Sequence, residues 1–204
     1  MGKMRSWDQR LGFRIAKGLA RTPITPNQVS LFSLVLTLTG AAFFTSGEAV
    51  LLHWGAGLFV AGRFLDHVDG ELARYSGHTS RFGYYLDYTV GAISYAALFL
   101  GLGVGFRESA LGDWSIVLGL AGMTAALLAM ALNIGIDRQN AEGAVGYPSF
   151  AGFELEDGIY LIAPITWLGG LLFFFTAAGI GAVCYLLWTF RCYLRGEPAK
   201  ASGR

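Results

Sequence analysis

The chain has 204 residues, of which 54% are hydrophobic and 14% charged, about half the charged share of an average soluble domain. A soluble globular fold is excluded by that composition. The net charge of +1 makes no case for a nucleic-acid partner, and none is expected.

In chain order, Trp7, Leu11, Ile15 and Leu19 recur every four residues, with Arg10, Arg14, Lys17 and Arg21 beside them. This predicts an amphipathic helix, either lying in the interface over anionic headgroups or serving as a plain positive-inside anchor. Residues 1–27 are read as a cytoplasmic arm, too polar and basic to be a cleavable signal peptide. Thr25-Pro26-Asn27 reads as a turn into the first apolar run.

Runs long enough to cross a bilayer, about 20 residues each, cover roughly Val29 to Thr45, Val50 to Leu65, Tyr84 to Phe106 and Trp114 to Ile136. The stretch from Ile159 to Tyr193 is broken by Pro164, Gly169 and Gly170 into a short fifth span and a longer sixth; without that break the count is five. The expected fold is an all-α integral membrane protein, with six transmembrane helices over residues 28–195 and a cytoplasmic tail over 196–204. Lys and Arg fall in the arm, after the second and fourth spans and in the tail, whereas the opposite side has only Arg107. By the positive-inside rule both termini are cytoplasmic. Cys184 and Cys192 share one helical face and cannot pair within it.

Asp66 and Asp69 end the second run three residues apart, with Gly70 and Ala73 beside them, and Asp87 follows at the head of the third. Carboxylates against membrane-length apolar runs are costly and mark functional sites. Three of them where two helices meet suit Mg²⁺, or Mn²⁺, holding a phosphate, because oxygen-only ligation argues against zinc. A surface ion-pair network would not need this arrangement of glycine and alanine. Arg74 has a carboxylate or a phosphate as its expected partner, and Arg63, one turn before Asp66, is expected to ion-pair with it rather than to meet an anionic acceptor.

The ordering Asp66-x-x-Asp69-Gly70-x-x-Ala73-Arg74, eight residues, Gly83-x-x-x-Asp87 resembles the signature of the CDP-alcohol phosphatidyltransferase family, and Thr25-Pro26-Asn27-Gln28-Val29-Ser30 resembles that family's entry to its first span. The resemblance implies a homodimeric membrane enzyme of phospholipid biosynthesis. Such an enzyme moves a phosphoalcohol from a CDP-alcohol such as CDP-diacylglycerol to an acceptor and releases CMP. Its expected setting is a bacterial or archaeal plasma membrane, with the active site cytoplasmic. Asp66, Asp69 and Asp87 would ligate the metal, and Gly70, Ala73, Arg74 and Gly83 would shape the CDP pocket.

One position departs from the signature. The family motif continues with three residues and a fourth aspartate, the general base, which is also placed to touch a second metal ion; here that position is Gly91. Loss of a general base typically removes a factor of about 100 to 10,000 in rate. Three explanations stand side by side. The base comes from Glu154, Glu156, Asp157 or Asp137, or is not needed for an acceptor already ionised at neutral pH. Alternatively, the chain is a catalytically silent CDP-alcohol- or lipid-binding relative, or the glycine is an introduced substitution.

Overall fold

The computed structural model of the chain describes residues 7–139, 149–150 and 153–195. Seven α-helices carry the fold: α1 (Trp7–Leu19), α2 (Pro26–Phe44), α3 (Ala49–Ser76), α4 (Arg81–Gly105), α5 (Trp114–Gln139), α6 (Ile162–Trp167) and α7 (Leu171–Arg195). A two-residue antiparallel ladder, Ser149–Phe150 with Phe153–Glu154, precedes a 3-10 turn over Leu155–Leu161.

Local chemistry sets the helix ends. Thr25 caps α2 in a reciprocal capping box with Gln28, and Pro26 stands in the first turn, where its missing N–H costs nothing. Gly77 ends α3 in the left-handed conformation (φ 71°), which a glycine adopts without strain. Ser80 then caps α4 by accepting from the Gly83 N–H.

Among the described residues, four helices are long and apolar enough to cross a membrane: α2, α4, α5 and α7. The expected second span lies within α3, whose 28 residues include His53, Arg63, Asp66 and Asp69 and so dilute its apolar run. The expected short fifth span is only partly α-helical. Trp167 donates from Nε1 to the His53 carbonyl, and the Tyr160 hydroxyl lies 3.1 Å from His67 Nδ1. The segment from Tyr160 to Trp167 thus runs antiparallel to α3 between His53 and His67. A 3-10 turn rises more per residue than an α-helix, so thirteen residues cover about 23 Å in this form.

The main core joins Phe44, Phe59, Leu98, Leu102, Ile162 and Phe175. Small residues let the helices approach at backbone distance, as membrane helices require. A Cβ on Gly40 would stand 2.7 Å from the Gly55 carbonyl oxygen, and a Cβ on Gly101 would run into the Ala41 carbonyl. Gly101→Val is therefore expected to cost at least about 1–3 kcal/mol, read as a lowered thermal midpoint in detergent. Gly57→Val, where a Cβ meets nothing within 4 Å, is the matched control and should leave the midpoint unchanged.

The amphipathic arm helix forms as expected, but it docks through its small residues. Ala16 is fully buried against Val68 and Leu72 of α3, and Phe13 meets the Tyr75 ring edge-on. Leu11 and Ile15 stay exposed, together with Arg14 and Lys17. The helix is thereby tethered at the aspartate end of α3, with an apolar edge pointing away from the protein.

Candidate active site

The aspartates converge because α3 continues well past its apolar run and α4 begins only a short loop later. Asp66 and Asp69 are one turn apart on the buried side of α3, and Asp87 faces them from the second turn of α4. One oxygen from each carboxylate lies within 4.8 Å of the others. Asp66 is 9% exposed and Asp69 3%, whereas Asp87 is open to solvent.

Two adjacent buried carboxylates repel each other unless a cation or proton joins them. Arg63 supplies part of the compensation: its Nη1 donates to Asp66 Oδ2 at 2.9 Å, and its guanidinium lies 4.9 Å from the Tyr95 ring centroid. Asp66 Oδ1 and Asp69 Oδ2 are buried with no hydrogen-bond partner among the described residues. Orphaned carboxylate oxygens are rare in a folded protein and suit direct ligation of a cation. This donor set fits a hard divalent ion, Mg²⁺ or Mn²⁺.

The residues around the cluster are arranged less simply than their spacing implies. Gly70 is half-buried, and a Cβ there would lie 3.4 Å from Arg74 Nη2, the mobile end of a side chain. The partner of Arg74 is Glu71, at 2.9 Å, rather than one of the three aspartates; the Arg74 side chain is 65% exposed and Glu71 is buried. Ala73 lies half-buried on the same stretch of α3. At Gly83 a Cβ would meet Ser80 Oγ at 3.2 Å and Asn27 Oδ1 at 3.4 Å, so this glycine also seats the start of α4 against the start of α2. Gly91 is buried on α4, and a Cβ there would meet Met130 Cε at 3.3 Å and Arg63 Nη1 at 3.8 Å.

Among the carboxylates considered as substitutes for position 91, Asp137 is engaged elsewhere. Its Oδ2 accepts from the Tyr84 hydroxyl at 2.7 Å and the Tyr88 hydroxyl at 2.5 Å, tying α5 to α4. The side chains of Glu154, Glu156 and Asp157 lie outside the described residues. His67 turns toward the α6 side, where Nδ1 is 3.1 Å from both the Arg63 carbonyl and the Tyr160 hydroxyl.

Beside the cluster, Thr79, Ser80, Arg81, Tyr84, Tyr85, Asp137 and Arg138 line an open cleft of about 660 Å³. Arg138 donates to the Tyr85 hydroxyl at 3.0 Å and lies over its ring. Neither Arg81 nor the tyrosines were singled out from sequence. The signal was there in the run Tyr84-Tyr85-Leu86-Asp87-Tyr88, whose phenols flank the third aspartate.

Residues 23–190 match the sequence model described as CDP-alcohol phosphatidyltransferase. The chain is 32% identical to an archaetidylinositol phosphate synthase of Pyrococcus horikoshii over 166 residues, 76% of this chain and 84% of that protein. It is 35% identical to a bifunctional IPC transferase and DIPP synthase of Rubrobacter xylanophilus over 156 residues, 76% of this chain and 33% of that longer protein. The crystal structure of a Mycobacterium tuberculosis phosphatidylinositol phosphate synthase with CDP-DAG bound superposes with a TM-score of 0.67 at 22% identity, covering 90% of this chain and 94% of that one. The same enzyme with manganese and citrate gives 0.64 at 23% identity, covering 90% and 88%. At these identities the two structures establish a common fold.

Proposed function

Because the chain belongs to the CDP-alcohol phosphatidyltransferase family, we propose that it transfers the phosphatidyl-type group of a membrane CDP-alcohol such as CDP-diacylglycerol to a polyol phosphate, releasing CMP. The observation that carries the reading is the convergence of Asp66, Asp69 and Asp87, two of them with buried, unpartnered oxygens. In this reading the three carboxylates hold Mg²⁺ or Mn²⁺. When bound, the cation neutralises the pyrophosphate and stabilises CMP as a leaving group. Gly70 and Ala73 keep the adjacent face of α3 low enough for the nucleotide, Gly83 holds the opposite wall at the α4 start, and Arg74 stays solvent-facing to meet a phosphate.

The acceptor side is read as the cleft between Arg81 and Arg138. Two guanidinium groups beside tyrosine hydroxyls suit a phosphate carried on a hydroxylated ring. The names of two relatives, the archaetidylinositol phosphate synthase of Pyrococcus and the phosphatidylinositol phosphate synthase of Mycobacterium, support that class.

The same reading has six crossings. It is supported by the four long apolar helices, by α3, and by the 3-10 and α6 segment lying along α3. With the basic residues at the aspartate end, the termini and the active site are cytoplasmic, on the side that supplies nucleotides.

The test is CMP release from purified protein given CDP-diacylglycerol, Mg²⁺ or Mn²⁺ and inositol 1-phosphate. Release that stops on chelation and needs the acceptor is the expected result. Absence of release with a panel of acceptors, alongside metal-dependent CDP binding, would replace the enzyme reading with that of a silent binding protein.

A further inference from the structure

Gly91 and Arg63 form one structural unit. Arg63 is 4% exposed, and its Nη1 both donates to Asp66 Oδ2 at 2.9 Å and lies 3.8 Å from where a Gly91 Cβ would stand. The guanidinium, braced by the Tyr95 ring, thus stands between the first aspartate and the face of α4 at position 91, with Met130 Cε closing the other side of that glycine. The cation-facing side of the cluster is left with Asp66 Oδ1, Asp69 Oδ2 and an oxygen of Asp87.

We infer that this site holds one divalent cation and not two, the Arg63 guanidinium standing as a fixed positive charge in the space that a glycine at 91 leaves beside Asp66. The inference rests on the cation site proposed above. Three carboxylates and one guanidinium sum to −2, which a single divalent ion neutralises. A second ion would need Asp66 Oδ2, already engaged, and would sit in contact with a guanidinium that does not deprotonate. Arg63 is in this sense a positioning residue: it leaves Asp66 one oxygen for the metal and places a fixed positive charge beside position 91.

A consequence separates this inference from simple loss of a carboxylate. With its Cβ 3.8 Å from Arg63 Nη1, the side chain of Gly91→Asp reaches the guanidinium and pairs with it. That variant alone therefore neither recruits a second ion nor presents a free base. Both changes are needed, Arg63→Leu together with Gly91→Asp.

The experiment is titration of the full-length, chelator-treated protein in detergent with Mn²⁺ alone, counting bound ions by electron paramagnetic resonance. The wild type is expected to bind one Mn²⁺ per chain with an isolated-ion spectrum, and Gly91→Asp to remain at one. The double variant is expected to bind two, with a spin-coupled spectrum. Two coupled ions on the wild type, or two on Gly91→Asp alone, would overturn the inference and leave the cation site standing. Binding of no Mn²⁺ by the wild type would overturn the cation site itself, and this inference with it.

Discussion

Asp69→Asn is expected to abolish metal-dependent stabilisation and to lower CMP release by about 100-fold or more, since loss of even a residue supporting a ligand typically costs 10–100-fold. Asp69 is 3% exposed and its Oδ2 has no partner, so the substitution removes a charge and a ligand atom without changing side-chain volume. For the wild type, Mn²⁺ at a hundredfold excess over its Kd adds about 2.7 kcal/mol to stability. The variant should show none of this. Its stability in chelator should equal or exceed that of the wild type, because a buried carboxylate beside Asp66 has been removed. The opposing signs, a gain without metal and a loss with it, distinguish a ligand from a packing residue. A variant that keeps the full Mn²⁺ effect in thermal unfolding would remove Asp69 from the site.

The second large effect concerns the acceptor. Arg138→Ala and Arg81→Ala are each expected to raise KM for inositol 1-phosphate by about 10–100-fold, the equivalent of a charge-assisted hydrogen bond of about 1.5–3 kcal/mol. KM for CDP-diacylglycerol should be unaffected, because none of the three carboxylates proposed to hold the donor's cation lines the cleft of these arginines. Unphosphorylated inositol, tested in parallel, should be insensitive to both substitutions. Equal losses with the two acceptors would mean that the arginines support the fold of the α4 and α5 ends, where Arg138 meets Tyr85, and do not read the phosphate.

Much of the site was legible in one dimension. Asp66 and Asp69 are three apart on a helix and so must share a face, and even a loop of about a dozen residues, as the sequence suggests, keeps Asp87 near them. The apolar runs likewise predicted α2, α4, α5 and α7. The segment expected as a short fifth span was harder to read because part of it is a 3-10 turn, whose rise per residue exceeds that of an α-helix. The arm was read correctly as a helix; its docking on α3 through Ala16, with Leu11 left exposed, was not legible, since close approach of two helices favours a small residue that the apolar periodicity does not mark.

Partners across helices were beyond the reach of spacing: Asp137 of α5 takes two tyrosines from α4. Gly91 stood out in the sequence as a missing carboxylate, and nothing there connected it to Arg63, 28 positions earlier. Hydrophobic periodicity and motif spacing are local properties, so the order of the helices, the family and the aspartate triad could be read directly from the chain. The rotation of α3 against α4, set by glycines of each packed against the backbone of α2, is a property of the whole bundle. It alone decided that a guanidinium stands opposite the glycine where the fourth aspartate is expected.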